Sequence, residues 1–253
     1  IENDYKLLTQ GRKSQAISDS NRVISPQNIF IEEGAIVEFS IINAEHGLIY
    51  IGKDAEIMEN SVIRGPFATL EHSVVKMAAK IYGPTTIGPH SKVGGELNNV
   101  VFQGYSNKAH DGFLGNAVIG EWCNLGADTN NSNLKNTYEE VKLWSHFTEK
   151  FEQTGLQFCG LIMGYHSKCS INTMFNTGTI VGVSANIFGS GFQRNFIPSF
   201  SWGGILKMTT YQLDKAIKVA ENVYKRRNLV FDETEKEILS CIFDMSKEQR
   251  HGH

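Results

Sequence analysis

The residues whose types and spacing suit catalysis lie between His110 and Thr129. His110 precedes two glycine-containing units of similar form, IGEWC at 119–123 and LGADT at 125–129. Histidine titrates near neutral pH and is the usual base that removes a proton from a reacting group. Glycine-rich turns expose backbone N–H groups, which can stabilise an oxyanion. An isolated histidine is more often a surface or packing residue, so this chemistry requires a scaffold that holds the groups in place.

The scaffold is a repeat with a period of six residues. Every sixth position from residue 51 to residue 93 gives eight residues, of which seven are aliphatic and β-branched. Such side chains favour strands, and a helix would not keep a period of six. The residue four places after each is small in six of the eight cases, which a simple alternating strand would not require. The eight positions are Ile51, Ile57, Ile63, Thr69, Val75, Ile81, Ile87 and Val93.

Two further runs keep the same period. They comprise Phe113, Ile119 and Leu125, and then Met163, Cys169, Phe175, Val181 and Ile187. We predict an all-β domain, a parallel β-helix over residues 28–191, in which the first residue of each hexad points inward and the small residue lies at a corner. Successive coils would stack about 4.8 Å apart, the ordinary strand spacing. The alternative is a set of antiparallel strands with an accidental spacing.

One break in the period surrounds the candidate base. Val93 and Phe113 are 20 residues apart, two more than a multiple of six. This excess predicts an insertion within residues 94–112. His110 falls in the break, where a side chain can leave the surface of the coil.

A second break follows the glycine-containing units. Leu125 and Met163 are 38 residues apart, and residues 130–157 are polar and aromatic without hexads. We predict an excursion loop here, with a short strand at 141–144. Long loops inside compact folds are usually functional or disordered.

The C-terminal part follows a different pattern. The hexads end near Gly191, and residues 192–253 are predicted to form a cap and two helices. The second helix is predicted to begin at Asp232, because Glu235 has capping-box spacing. The helical periodicity predicts buried faces formed by Leu213, Ile217, Ala220 and Tyr224 in the first helix and by Ile238, Ile242 and Met245 in the second.

From His110 to Thr129 the sequence resembles the acetyltransferase half of bifunctional N-acetylglucosamine-1-phosphate uridylyltransferases. The resemblance extends over the β-helix, roughly residues 28–190. The later segments NTMFNTGTIVGVSANIFGSGF and SFSWGG are similar to a subgroup of sugar-1-phosphate nucleotidylyltransferases whose C-terminal half is this β-helix. The residues that match the acetyltransferase pattern at the same spacing are His110, Leu114, Gly115, Ala117, Ile119, Gly120, Asn124, Gly126, Ala127 and Thr129.

The resemblance implies a left-handed β-helix, a homotrimer with sites between neighbouring prisms, acetyl-CoA as co-substrate and no metal requirement. It makes His110 the base and Asn124 a contact in the sugar-phosphate pocket. It assigns the acetyl-CoA contacts to Ala127, through its backbone, and to Asn133. Arg194 and Lys207 follow the last hexad, where relatives bind the phosphates of the coenzyme; a solvated surface charge is the alternative for both.

The sequence departs from the family at several site positions. Thr69 stands where relatives have the arginine that binds the sugar phosphate, and Asn98 stands where they have a lysine. Lys76, Lys80 and Lys108 are candidates to replace the lost positive charge, and each is equally consistent with a solvated face. Further departures are Phe113 and Leu134 in place of tyrosine and Asp128 in place of glycine.

These features predict an acyl-CoA-dependent N-acyltransferase that acts on an amino-sugar phosphate or a nucleotide-linked sugar. The alternative is a non-catalytic β-helix that serves as an oligomerisation or regulatory module of a sugar-phosphate nucleotidylyltransferase. A third possibility, a carbonic anhydrase of the same fold, needs three histidines that meet at an interface. Among the candidates His90, His110 and His166, none has the expected partner spacing.

The composition excludes some classes of binding partner. A formal charge of −3 and a pI of about 6.3 argue against nucleic acid, and no apolar run is long enough for a membrane helix. The four cysteines lack metal-ligand spacing. Cys123 and Cys169 are predicted to face inward, where free cysteine behaves as a small hydrophobic residue, and a reducing cytoplasm is the expected location.

The two ends of the chain carry weaker signals. Residues 1–27 are polar and are predicted to be either a frayed terminus or, as the resemblance implies, a linker after a nucleotidylyltransferase domain. His251 and His253 are expected to be disordered or non-native.

Overall fold

The computed structural model describes residues 1–251, so the expectation for His253 lies outside the described residues. Two compact units divide the chain, Ile1–Glu121 and Trp122–His253. Both are built from coils of a left-handed parallel β-helix, and short helices follow in the second unit, as predicted. In the described part of the chain, no helix combines the length and the apolar character needed to cross a membrane.

The first unit begins with a helix and continues as short parallel strands. Its elements are α1 (Glu2–Thr9), a 3-10 turn (Pro26–Asn28), β1 (Arg22–Ile24), β2 (Ile29–Ile31), β3 (Ile36–Val37), β4 (Ile41–Asn43), β5 (Ile49–Ile51), β6 (Glu56–Ile57), β7 (Val62–Arg64), β8 (Phe67–Thr69), β9 (Val74–Val75), β10 (Lys80–Tyr82), β11 (Thr85–Ile87), β12 (Lys92–Val93), β13 (Glu96–Phe102), β14 (Asn107–Lys108) and β15 (Phe113–Ile119).

Three ladders of inward side chains fill the first unit. Parallel pairing places equivalent hexad positions of successive coils side by side, and the seven aliphatic residues predicted to point inward are each at most 1% exposed. The predicted frame is therefore confirmed over residues 51–93. The ladders are Ile42–Ile63–Ile81–Leu97–Leu114, Ile31–Ile51–Thr69–Ile87–Phe102–Ile119 and Val37–Ile57–Val75–Val93–Lys108.

The predicted insertion within residues 94–112 is wrong, because this span contains shortened hexads instead. Leu114, at 0% exposure, points inward in place of Phe113. Two adjacent glycines allow the tight corner: a Cβ atom on Gly94 or Gly95 would lie 2.7 Å from a backbone oxygen of the next coil. The inward positions after Val93 are Leu97, Phe102, Lys108 and Leu114.

The second unit contains further coils, a hairpin and three helices. Its elements are β16 (Asn124–Leu125), β17 (Asn130–Asn131), β18 (Lys142–Ser145), β19 (Lys150–Gln153), β20 (Leu161–Met163), β21 (Lys168–Cys169), β22 (Met174–Phe175), β23 (Thr179–Val181), β24 (Asn186–Ile187), β25 (Phe196–Ile197), β26 (Ser201–Gly203), β27 (Met208–Thr210), α2 (Leu213–Lys225), α3 (Glu233–Met245) and α4 (Lys247–His251).

An excursion loop leaves the coils of the second unit, but it starts later than the predicted residue 130, because β17 still pairs with β22 in parallel. The strand expected at 141–144 is β18, and it pairs with β19 in an antiparallel hairpin. The inward residues of the third frame, from Met163 to Ile187, are at most 5% exposed. Cys123 and Cys169 are also buried, which confirms their predicted position.

The coils extend further than the hexads predict at both ends. β1 already pairs with β4 through Arg22 and Ile41, so the first coil starts before residue 28. After Gly191, β25 pairs with β23 and β26 pairs with β24 in parallel. Buried aromatic residues, including Phe196 and Phe200, fill the interior there, which the aliphatic hexad pattern does not detect. The antiparallel strand β27 then follows β26.

The two predicted helices form, but one buried face differs, and His251, expected to be disordered or non-native, ends the third helix α4. Asp232 caps α3 and accepts a 3.0 Å hydrogen bond from the backbone N–H of Glu235. The predicted face of α3 is wrong for Ile238 and Met245, which are 50% and 77% exposed, because Leu239 is the buried residue. In α2 the buried residues are Ala216, Ala220 and Tyr224.

Candidate active site

His110 lies in the turn between β14 and β15 of the first unit, and its side chain is exposed. The backbone carbonyl of His110 accepts a 2.6 Å hydrogen bond from the ammonium of Lys108. The neighbouring coil packs tightly against this turn at Gly94 and Gly95. An exposed imidazole on a turn held in this way is accessible to a ligand and can accept its proton.

Lys108 occupies an interior position instead of the expected substrate position. It is 1% exposed, and its ammonium donates to the carbonyl oxygens of Gly94 at 3.3 Å, His110 at 2.6 Å and Asp111 at 3.1 Å. These contacts engage the three N–H donors of a lysine. The expected contact between Lys108 and a substrate phosphate does not fit this placement, because the charge faces the protein backbone.

Lys76 is better placed for an incoming anion. Its side chain is partly exposed, and its backbone N–H bonds to the carbonyl of Val93 at 2.7 Å. In the next coil Gly94 bonds to the carbonyl of Lys108 at the same corner. Lys76 therefore lies on the column of corner residues that leads to the His110 turn.

Lys80, the third candidate cation, is already paired. Its ammonium lies 2.9 Å from the Glu96 carboxylate, which also accepts a 2.7 Å hydrogen bond from the Tyr82 hydroxyl. The hydrogen bond from Tyr82, followed by the one from Lys80, lowers the pKa of Glu96. A substrate phosphate would have to compete with this carboxylate for Lys80.

The positions of the two lost cations differ in their surroundings. Thr69 is 1% exposed and lies on an inward ladder, where its hydroxyl contacts Ser73. Asn98 is half-buried and pairs with Tyr82 and Gly115 in the strands on either side. Neither side chain supplies the positive charge that a sugar phosphate needs.

In the second unit, Asn124 and Ala127 flank one corner of a coil. Asn124 is exposed on β16, opposite Lys168 on β21. The carbonyl of Ala127 accepts a 2.8 Å hydrogen bond from the N–H of Asn172 at the corner of the next coil. The outward position of Asn124 leaves its amide available to a ligand.

A surface groove of about 500 Å³ runs beside the Ala127 corner. Asp128 and Asn172 line it, and both have left-handed backbone conformations, with φ of 56° and 58°. The exposed side chain of Ile171 and that of Met174 add apolar surface. The sequence-based candidate Ala127 precedes the lining residue Asp128, whereas Asn172 was missed, although the continuing hexad spacing could have indicated it.

A smaller apolar hollow adjoins the groove at Gly189 and Ser190. It measures about 200 Å³, and Lys207 and Leu206 line it, the latter 91% exposed. Arg194 is exposed shortly after this corner. Both cations are therefore exposed, and Lys207 is the one that lines the hollow.

Asn133 lies at the base of the excursion loop. Its carbonyl accepts a 3.0 Å hydrogen bond from the N–H of Cys159, and Leu134 forms a β-bridge with Phe158. These contacts close the loop where it leaves and rejoins the coil. Farther along the loop Phe147 is 97% exposed.

The two other candidate histidines, His90 and His166, stack against other aromatic rings. His90 stacks between His72 and Tyr105, with ring centroids 4.8 and 4.7 Å apart. His166 packs against Trp122 and Tyr224, and its burial lowers its pKa to about 3, with a smaller contribution from the Lys168 charge. Within residues 1–251 no three His, Cys, Asp or Glu side chains converge to hold a metal ion.

Comparisons with known proteins agree with this architecture. No family model matches the chain. The Bifunctional protein GlmU of Wigglesworthia glossinidia brevipalpis is 26% identical over 203 residues, which cover 74% of this chain and 41% of the relative. GlmU of Geotalea uraniireducens (strain Rf4) is 29% identical over 160 residues, which cover 53% of this chain and 34% of the relative. The chain thus spans less than half the length of these curated relatives.

A solved structure shares the fold. The UDP-N-acetylglucosamine acyltransferase of Francisella novicida superposes with a TM-score of 0.50 at 14% identity, covering 90% of this chain and 79% of that one. The chain is therefore a left-handed β-helix protein similar to GlmU over the coils, as the hexads and the match around His110 predict.

Proposed function

We propose that the chain is an acyl-CoA-dependent N-acyltransferase whose acceptor is an amino-sugar phosphate or a nucleotide-linked amino sugar. The observation that carries the proposal is the matched pattern around His110, whose imidazole is exposed on a turn that the Lys108 ammonium holds. A fixed, exposed base is the group that N-acyl transfer requires from the protein.

The proposed N-acyl transfer moves a proton from the acceptor amine to His110 and an electron pair from the amine nitrogen to the thioester carbon. The acceptor arrives as an ammonium, and His110 takes its proton so that the nitrogen lone pair can attack the thioester carbonyl. The carbonyl oxygen becomes an oxyanion, which backbone N–H groups at glycine-rich corners stabilise. The electron pair of the oxyanion then re-forms the carbonyl and the carbon–sulfur bond breaks. The sulfur takes the extra proton of the attacking nitrogen and leaves as a thiol, the nitrogen becomes the neutral amide, and the His110 imidazolium returns its proton to solvent.

The second unit would bind the acyl donor. The groove beside Ala127 offers backbone groups and apolar surface to the coenzyme, and Asn133 lies at the start of the loop that follows. Lys207 and Arg194 are the cations proposed for the coenzyme phosphates. Lys207 is favoured for this role because it lines the hollow that adjoins the groove, although both side chains are exposed.

Asn124 and Lys76 are the proposed acceptor contacts. Asn124 presents a neutral amide to a sugar hydroxyl or phosphate, and Lys76 supplies a partly exposed charge. With Lys108 buried and Lys80 paired, the acceptor phosphate meets fewer cations than in the family that the sequence resembles. In a nucleotide-linked sugar each phosphate carries less negative charge than a terminal phosphate does. Such an acceptor therefore suits a site with fewer positive charges.

Assembly and location belong to the same proposal. A homotrimer follows from the family that the sequence resembles, in which neighbouring prisms share the sites. The buried cysteines Cys123, Cys159 and Cys169 form no disulfide bonds in the described part of the chain, which suits a reducing cytoplasm.

A second function, a non-catalytic oligomerisation or regulatory module, is favoured by a specific observation. Thr69 is buried, Asn98 is neutral, and the ammonium of Lys108 is bound to backbone carbonyls, so the acceptor side lacks its usual cations. Such a module would need the coils but no donor site.

Two measurements on the purified chain distinguish these functions. Calorimetric titration with acetyl-CoA should give saturable heat, and free thiol should be released when an amino-sugar phosphate or a nucleotide-linked amino sugar is added. Lys207→Ala should weaken acetyl-CoA binding, whereas Lys53→Ala, an exposed lysine of the first unit, should not. Absence of saturable heat with acetyl-CoA would exclude the acyltransferase and leave the module.

A further inference from the structure

A lysine interrupts one of the three inward ladders of the first unit. In parallel register Val75 pairs with Val93, and Val93 pairs with Lys108. The two valines are 0% exposed and Lys108 is 1% exposed. Burying a charge costs several kcal/mol unless it is paired or hydrogen-bonded. A lysine at an aliphatic position therefore needs a compensating role.

The ammonium of Lys108 is directed at the turn that carries His110. Two of its three carbonyl acceptors, those of His110 and Asp111, belong to this turn, at 2.6 and 3.1 Å. The third, that of Gly94 at 3.3 Å, belongs to the neighbouring coil. The buried ammonium of Lys108 thus links the turn between β14 and β15 to the neighbouring coil.

No aliphatic residue could make this link. The methylene chain of a lysine fills the ladder position as a valine would, and the ammonium adds three donors in a tetrahedral arrangement. Hydrogen bonds from a charged donor are stronger than neutral ones, more so away from solvent. The position of the His110 backbone therefore depends on Lys108.

We propose that Lys108 is a positioning residue, which fixes the backbone of residues 110–111 and thereby holds the His110 imidazole in place for proton transfer. This inference rests on the proposed function, because it takes His110 as the base. Lys108 does not touch the substrate in this role. Displacing a reacting group by about 1 Å can reduce a rate about 100-fold, so losing the link should affect turnover more than binding.

The test compares two substitutions in the same ladder. Lys108→Met keeps the length of the side chain and removes the ammonium, whereas Val93→Ala loosens the same ladder without removing a donor to the turn. We expect Lys108→Met to lower kcat about 10- to 100-fold with the KM for acetyl-CoA within about twofold of the parent. Val93→Ala should lower the Tm but keep kcat. An equal loss of kcat in both variants would overturn the proposal.

A second readout does not depend on activity. Amide hydrogen exchange over residues 109–112 should become faster in Lys108→Met and stay unchanged in Val93→Ala. The imidazole C–H signal of His110 in NMR spectra should shift or broaden in Lys108→Met, while that of the exposed His46 stays unchanged. Unchanged exchange and an unchanged His110 signal would show that Lys108 does not hold the turn.

The outcomes separate this proposal from the proposed function. If the parent transfers no acyl group, the acyltransferase has failed, and hydrogen exchange alone decides whether Lys108 holds the turn. If Lys108→Met does not fold, Lys108→Arg replaces it. The planar guanidinium keeps the buried charge but cannot direct three donors at the same three carbonyls, so kcat should still fall. Parent-like kcat in a folded Lys108→Arg variant with unchanged exchange would contradict the proposal.

Discussion

At the scale of single residues, the surroundings of a histidine decide whether it can exchange a proton with a ligand. His110 is exposed on a turn, where an acceptor amine can reach its imidazole. His166 is enclosed by aromatic rings, with Phe231 edge-on at 6.3 Å, and its Nδ1 atom is buried without a hydrogen-bond partner. The first environment suits a base, and the second keeps the ring neutral near neutral pH, because burial lowers its pKa to about 3.

Replacing His110 with alanine should remove the base. Turnover should fall by about 10² to 10⁴, the usual contribution of general base catalysis, while acetyl-CoA binding stays nearly unchanged. Steady-state kinetics and calorimetry measure the two effects, and His46→Ala is the control at an exposed histidine. Turnover by His110→Ala within threefold of the parent would assign the base to another group or remove acyl transfer altogether.

The buried His166 should make the fold sensitive to acid. Burial lowers its pKa from 6.5 to about 3 in the folded state, so below pH 6.5 the unfolded chain binds a proton that the folded chain does not. Stability should then fall by about 1.4 kcal/mol per pH unit as the pH drops from 6.5 toward 3, or about 3 kcal/mol by pH 4.5. Urea unfolding between pH 7 and pH 4.5 measures this loss.

Two variants isolate the contribution of His166. His166→Phe retains an aromatic ring beside Trp122 and Tyr224 and should flatten the dependence of stability on pH. His46→Gln, at a side chain that is 66% exposed, should leave the parent slope unchanged. A parent slope that persists in His166→Phe would show that other groups cause the acid sensitivity.

At the scale of elements, the sequence predicts the coils where hexads are full and fails where they are shortened. From residue 51 to residue 93 the aliphatic period identifies the inward ladders, because flat strands of equal length repeat the same corner. The coils that follow are shorter, so counting in steps of six no longer finds the inward residues. The sequence feature that marks this change is the glycine pair Gly94 and Gly95. In α3, packing of Phe243 against Phe200 at 5.0 Å turns Leu239 inward, which helical spacing alone does not reveal.

The same shift in frame affects how the candidate site residues are read from the sequence. His110 and Asn124 are candidates because of a local pattern that does not depend on the frame. Lys108 looks like a surface lysine, because a frame that starts at Phe113 places Asn107 inward and Lys108 outward. Only the register that pairs Lys108 with Val93 identifies it as an interior residue.

A charge placed on an inward ladder should unfold the first unit. Ile87 is 0% exposed between Thr69 and Phe102, so Ile87→Asp would bury an unpaired carboxylate at a cost of several kcal/mol. Circular dichroism and thermal melting measure the loss of fold. Ile24→Asp, at a strand residue that is 46% exposed, is the matched control and should melt close to the parent. A soluble, cooperatively melting Ile87→Asp protein would contradict the inward frame.

At the scale of the whole molecule, the outer surface of the first unit exposes an apolar strip. An outward ladder runs beside the interior one, and its members are Phe30, Tyr50, Ala68, Thr86, Val101 and Val118. Ile1 and Tyr5, at the start of the chain and in α1, pack against the first three. Val101 and Val118, paired in register, remain 40% and 39% exposed. Exposed β-branched pairs on a flat sheet suit contact with another copy of the chain.

The proposed trimer should therefore depend on this strip. Sedimentation equilibrium of the parent at micromolar concentration should give about 85 kDa, three times the 28.2 kDa of one chain. Val101→Asp should shift the mass toward the monomer, because three carboxylates would lose hydration at the contact. Met245→Asp, at a residue of α3 that is 77% exposed, should stay trimeric. If trimers share the site, acetyl-transfer activity should fall together with the trimer fraction in Val101→Asp. A monomeric parent would remove the shared site and most of the case for catalysis, whereas a trimeric Val101→Asp would place the contact on another face.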